Sequence, residues 1–229
     1  MLPEVHVWYI KNSKHLSREC WADCFGLLPD KLRESVNNRY FWKDRQASLL
    51  GKLLLEAALK LKTPEKSLYD LRYNNYKKPF VNGLLNFNIS HSGDYVVCAF
   101  TTLPEAIGID IEQVRYIEIE DFKDIFTTTE WNHIENATHP ESAFFKLWTI
   151  KESVIKADGR GLHIPLKSLK INNNQAWQNN NCWYFRPVFI EKKYKCHLVT
   201  KTENYKVHLK ETTLETLLSF IKPACSVLP

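Results

Sequence analysis

The stretch AIGIDIE, residues 106–112, alternates without a break, so that as a strand Ile107, Ile109 and Ile111 point one way and Gly108, Asp110 and Glu112 the other. A strand of this kind lays its isoleucines on a core and leaves two neighbouring carboxylates on its opposite face. Such a pair repels unless a cation or a proton stands between its members. An acidic strand face is common at a protein surface, so the pair by itself is a weak signal, and its meaning depends on what the chain places around it.

Downstream of this strand, TTTE (Thr127–Glu130) has the spacing of a capping box and opens a helix. A longer helix runs from Ser142 to Ala157 and closes at Asp158-Gly159. CWYFRPVFI (Cys182–Ile190) and KCHLVT (Lys195–Thr200) read as strands, and the asparagines at 172–174 and 179–181 as loop tips. Upstream, VHVWYI (Val5–Ile10) is a strand. A helix is expected over Asn38–Lys62, with Leu49, Leu50, Leu53, Leu54 and Ala57 at helical spacing and Thr63-Pro64 as its stop. In LRYNNYKKPFVNG, Tyr73 and Tyr76 flank a basic pair and Asn82-Gly83 makes a turn. NFNIS and YVVCAF are strands on either side of a polar Ser-His-Ser-Gly knot at Ser90–Gly93. Each half therefore has a strand, a long helix and a few further strands. The expected fold is α+β in two similar halves, 1–104 and 105–229; no residue-level repeat accompanies the likeness.

In ESAFFKLWTIKESVIKADGRG, Phe144, Phe145, Trp148 and Ile155 mark the apolar side of the helix. Glu152 falls at the edge of that side, an awkward place for a carboxylate. Its ordinary reading is a surface pair with Lys156. Two oxygens from the strand and a third from the helix edge instead suit Mg²⁺, whose shell substrate phosphate completes. Lys77, Lys78, His91, Lys151, Lys156 and Arg45 are basic groups that can converge on the same cleft, as phosphate binding requires. Acids for a metal together with cations for phosphates describe a clamped diphosphate. A Ser-His hydrolase reading of the knot lacks any G-x-S-x-G elbow in the chain.

Composition bounds these readings. The 229 residues, 44% hydrophobic and 13% aromatic, are enough for a sound core. A formal charge of +5 suits a phosphate-bearing ligand or an acidic partner and is too small to indicate nucleic acid. The first residues lack a basic region followed by an apolar one, and no stretch approaches the roughly 18 apolar residues of a membrane span, so a soluble, cytoplasmic chain is expected. Six cysteines without a CxxC pair fit reduced thiols; Cys20, Cys24 and His15 make an incomplete metal set.

FNISHSG, IGIDIE and FFKLWTIKESVIKADGRGL, in this order and at these separations, resemble the 4′-phosphopantetheinyl transferases of the surfactin-synthetase-activating type. The resemblance covers Tyr76 to Pro165, more faintly the first helix, and rests on G-I-D-x-E followed by W-x-x-K-E-x-x-x-K. It implies two similar α+β halves with the active site in the cleft between them, and transfer there of the phosphopantetheine arm of coenzyme A to a serine of a carrier protein, with release of adenosine 3′,5′-bisphosphate. It further implies that Asp110, Glu112 and Glu152 bind Mg²⁺, or Mn²⁺, and that Glu152, or a metal-bound water near it, takes the serine proton. Lys156 would offset charge on the departing phosphate. Ser90, His91, Lys78 and Pro79 would hold the nucleotide, with Lys151 lining the same cleft. Lys77 stands where the family has Gly. Arg45 lies two residues before the family's helix arginine, whose place Ala47 takes. The implied acceptor is an acidic, helical carrier domain met by a monomeric enzyme, with no nucleic acid or membrane involved. A silent relative that senses coenzyme A and a magnesium-dependent nuclease are the alternatives. The intact acid triad opposes the first, and the absence of an extended basic-aromatic groove opposes the second.

Overall fold

The computed structural model describes residues 2–83 and 85–222. The first half contains β1 (Glu4–Lys11), α1 (Arg18–Gly26), α2 (Asp30–Asn37), α3 (Trp42–Lys62), a small hairpin of β2 (Leu71–Tyr73) and β3 (Pro79–Val81), then β4 (Asn86–Ser92) and β5 (Tyr95–Thr101). The second contains β6 (Ile107–Gln113), α4 (Thr128–Glu135), α5 (Pro140–Asp158), β7 (Lys170–Asn172), β8 (Gln175–Gln178), β9 (Asn181–Pro187) and β10 (Tyr194–Thr200). Two elements, β11 (Lys206–Glu211) and α6 (Leu214–Ile221), follow. One sheet has the order β11-β1-β5-β4 and the other β6-β10-β9-β8-β7. In both, the strand that precedes the long helix pairs antiparallel with the last strand of its half, which pairs in turn with the one before it. That shared order makes the halves similar.

The isoleucine face of β6 behaves as its alternation requires. Ile107, Ile109 and Ile111 are buried between the sheets against Val5, Val7, Val97 and Leu198. Its other face lies under α5, and Gly108 sets the spacing: a Cβ there would collide with the Ser153 carbonyl oxygen and stand 2.7 Å from the Ala157 nitrogen. Only glycine lets the helix lie this close to the strand. The same approach brings Glu152 and Lys156 over Asp110.

Several local signals act as expected. Thr127 and Glu130 form both bonds of a capping box at the start of α4, and α5 stops at left-handed Gly159. Asn173 and Asn179, at the loop tips, also adopt positive φ. Other boundaries differ. The helix expected from Asn38 begins at Trp42, because residues 30–37 form their own helix, which Asn38 caps, and Phe41 is extended. The strand expected over Cys182–Ile190 ends at Pro187, which has no N–H to continue a ladder.

The division into 1–104 and 105–229 needs a correction at its far end. Strand β11 runs parallel to β1, and α6 packs on α3, so residues 206–221 return to the first half. The returning strand satisfies an edge of β1 that would otherwise present unpaired backbone groups.

Candidate active site

The two sheets meet where β4 overlies β6, with side chains replacing a backbone ladder. Asn88 Oδ1 accepts from Ile109 N–H at 2.8 Å, Ser90 Oγ from Ile111 N–H at 3.4 Å and Ser92 Oγ from Gln113 N–H at 3.1 Å. Every second residue of one strand thus satisfies every second amide of the other. A hydroxyl can accept and donate at once, and both serines do so: Ser90 donates to Asp110 Oδ1 at 2.8 Å and Ser92 to Glu112 Oε2 at 2.6 Å. Asn88, which accepts in the same way, stands opposite the strand position of Gly108, which has no side chain to receive a second bond. Lys156 reaches from α5 to donate to Ser90 Oγ at 2.8 Å and Asp110 Oδ1 at 2.6 Å, closing the seam from above.

A cavity of about 370 Å³ opens over these groups, lined by Ser90, His91, Asp110, Glu112, Glu152 and Lys156, with Ile89, Trp148 and Leu162 as its apolar walls. Trp148 is half-buried because it faces this space, and is not the sealed core residue that the helix pattern indicates. An adjoining cavity of about 220 Å³ shares Glu152, Lys156 and Leu162 and continues past Lys77, Lys78, Pro79 and Asn88. Both cavities lie along the seam.

Electrostatics in the cleft favour positive charge. Burial lifts the pKa of Glu152 to about 7, Asp110 and Glu112 add to the rise, and Lys156 opposes it. Glu112 is also raised, chiefly by burial, against its bond from Ser92. His91 is accessible at the cavity wall, yet the surrounding protein holds its pKa below the ordinary value while Asp44 pulls it back up.

The expected basic groups divide. Lys156 and His91 face the cleft. Lys78 lines it too, but its ammonium donates to Ala157 O at 2.7 Å, capping the carbonyl end of α5, and burial lowers its pKa to about 8. Ser90 is buried, with its hydroxyl engaged by the seam rather than free for a nucleotide. Lys151 does not line the cleft. Its side chain is fully buried on another face of α5, where it pairs with Glu130 at 3.0 Å and donates to Leu166 O and Leu169 O. Arg45 is also elsewhere, beside Trp42 and Trp21 in a separate cavity of about 420 Å³. The sequence reading missed the roles of Asn88 and Ser92, although the polar alternation N-x-S-x-S in residues 88–92 was visible. Lys77 adopts φ 64, a left-handed conformation in which glycine is at ease and lysine is strained.

Among the described residues, no three His, Cys, Asp or Glu side chains are drawn together tightly enough to hold an ion as they stand. The donor chemistry nonetheless fits a hard divalent cation. Asp110 Oδ2 is buried with no hydrogen-bond partner, and two glutamates with raised pKa line the same cavity. Carboxylate oxygens short of positive charge are the ligands that Mg²⁺ or Mn²⁺ takes.

Comparison with known proteins agrees with this arrangement. A family model of the 4′-phosphopantetheinyl transferase superfamily matches residues 106–209, and a model of the N-terminal part of 4′-phosphopantetheinyl transferases matches residues 15–103. Over 226 residues the chain is 32% identical to 4′-phosphopantetheinyl transferase Sfp of Bacillus subtilis (strain 168), covering 93% of this chain and 99% of that one. The chain belongs to the 4′-phosphopantetheinyl transferase family. It is also 44% identical over 138 residues to 4′-phosphopantetheinyl transferase gsp of Aneurinibacillus migulanus, covering 58% of this chain and 57% of that one. With L-aminoadipate-semialdehyde dehydrogenase-phosphopantetheinyl transferase of Xenopus laevis it shares 30% identity over 169 residues, 66% and 55% of the two chains. In this phosphopantetheinyl transferase the cleft draws Ser90 and His91 from the first matched region and Asp110, Glu112, Glu152 and Lys156 from the second.

Proposed function

We propose that the seam cleft transfers the 4′-phosphopantetheine arm of coenzyme A to a serine hydroxyl of an apo carrier protein, with Mg²⁺ or Mn²⁺, and releases adenosine 3′,5′-bisphosphate. The observation that carries this reading is the gathering of Asp110, Glu112, Glu152 and Lys156 around one cavity in a chain of this family. Asp110, Glu112 and Glu152 would hold the cation, which when bound would neutralise the diphosphate and polarise its phosphorus–oxygen bonds.

The serine oxygen attacks the phosphorus that carries the pantetheine arm, and the bond from that phosphorus to the bridging diphosphate oxygen breaks. Glu152, at the cavity wall, would take the serine proton, directly or through a water. The Lys156 ammonium, fixed by Ser90 and Asp110, offsets negative charge that gathers on the leaving phosphate. His91, Lys78 and Pro79 line the path for the nucleotide. Trp148 and Leu162 supply apolar walls that limit water around the reacting phosphate.

The +5 charge suits an acidic, helical carrier domain as acceptor, steered by complementary fields. We place the enzyme as a cytoplasmic monomer with no nucleic-acid or membrane partner; the mild charge of +5 supports the part of this reading that concerns nucleic acid. Among the described residues, no helix is long and apolar enough to cross a membrane. The test is incubation with coenzyme A, Mg²⁺ and a panel of apo carrier proteins, read by intact mass. A carrier that gains one phosphopantetheine supports the reading; a panel that gains none, with the protein folded, overturns it.

A further inference from the structure

We propose that Ser92 is a positioning residue that aims the Glu112 carboxylate into the cleft, and that the alternation at Asn88, Ser90 and Ser92 sets the register of the metal-binding strand against the other half. The inference rests on the metal reading above and concerns a residue with no role in it.

Strand β6 has one edge paired with β10, and its other edge would leave the amides of Ile109, Ile111 and Gln113 without partners. Side chains of β4 satisfy all three, so a slip of the two strands would cost several buried hydrogen bonds at once. The halves can therefore meet in one register only. That register places Ser90 beside Asp110 and Ser92 beside Glu112.

The two acids differ in what they need. Asp110 is short, buried and held by both Ser90 and Lys156. Glu112 is longer, half-buried and has more rotamers to lose. Its side-chain hydrogen bond among the described residues is the one from Ser92 to Oε2, at 2.6 Å, which leaves Oε1 outside that bond. Ser92 itself is fixed from both sides. Gln113 N–H donates to it at 3.1 Å, and the turn that follows is pinned. Gly93 has φ 56 and room for no side chain beside Gln113 and the Tyr194 hydroxyl. Asp94 N–H donates to that hydroxyl at 2.9 Å, and the Asp94 carboxylate pairs with Lys43 at 2.5 Å. A hydroxyl anchored this firmly can hold a carboxylate at a fixed angle, as partners behind metal ligands do.

The experiment titrates Mn²⁺ into the full chain with coenzyme A present and follows free ion by electron paramagnetic resonance, for wild type, Ser92→Ala and Ser92→Thr. Ser92→Ala is expected to weaken Mn²⁺ binding by about tenfold or more, while coenzyme A affinity without metal, read by calorimetry, stays the same. Ser92→Thr keeps the hydroxyl and should restore Mn²⁺ binding. In a Glu112→Gln background, Ser92→Ala should remove little more, because the two changes act through one carboxylate. Equal Mn²⁺ affinity in wild type and Ser92→Ala overturns the inference alone, as does an equal loss in both Glu112 backgrounds or a Ser92→Thr as weak as Ser92→Ala. Wild type that binds no Mn²⁺ overturns the metal reading and this inference together. If Ser92→Ala melts without a folded baseline, Ser92→Cys, similar in size with a weaker donor, takes its place under the same outcomes.

Discussion

Lys151 and Lys156 lie on successive turns of α5 and lead opposite lives. Lys151 points into the second half, fully buried, its charge answered by Glu130 and two carbonyl oxygens. Lys156 points into the seam and answers Asp110 of its own half and Ser90 across the boundary between the halves. Around Lys151 one acid answers one cation, whereas around Lys156 three acids outnumber one cation. One helix therefore carries a structural face and a reactive face. The difference lies in whether the charges balance without help, and a site in which they do not is prepared for a ligand that completes them.

Breaking the reactive face should have the largest effect. Glu152→Gln is expected to slow transfer by at least about a hundredfold, measured by intact mass against an apo carrier. The same change should stabilise the fold. The Glu152 pKa is about 7, above its ordinary 4.5, so stability linked to its neutral form is present at acid pH and is lost as pH rises through about 7. Melting curves without metal should show Glu152→Gln level with wild type below about pH 4.5, drawing ahead between about 4.5 and 7, and holding a constant lead above that. An advantage that stayed constant between about 4.5 and 7 would contradict the raised pKa.

Breaking the structural face should do the reverse. Lys151→Ala leaves Glu130 buried and unpaired, and should cost about 3–5 kcal/mol of stability, read by denaturant unfolding. Transfer per folded molecule should stay near wild type; a specific loss of coenzyme A affinity would return Lys151 to the cleft. Gly108→Ala tests the contact the two faces share, since a methyl group would push α5 off β6. We expect a loss of about 1–3 kcal/mol together with slower transfer, because Glu152 and Lys156 would move away from Asp110. The smallest change is at the rim. Lys77→Gly removes a left-handed lysine and should gain up to about 1 kcal/mol, with transfer retained; a destabilised variant would show that the lysine stem makes contacts that outweigh its strain.

Much of the site could be read because its signals are local. Asp110 and Glu112 announce themselves by alternation with isoleucines, and Glu152 by its place beside an apolar helix stripe. Where the reading failed, distant residues decided. Lys151 and Lys156 look alike along the chain, and only Glu130, Leu166 and Leu169, folded against one of them, separate their roles. Arg45 was drawn toward the cleft by its charge, yet packing puts it beside Trp42 and Trp21. Helices α1 and α2 escaped notice because each is short and carries few buried residues.

The sequence by itself determined the strand that carries the acids, the long helices and their stops, the capping box and the membership of a family. These depend on neighbours within a turn or two, where side-chain period and backbone preference act. The tertiary structure alone decided the register of β4 on β6, the return of β11 to β1 and which lysine serves the cleft. Those outcomes turn on bonds between groups far apart in the chain, whose partners no local pattern names.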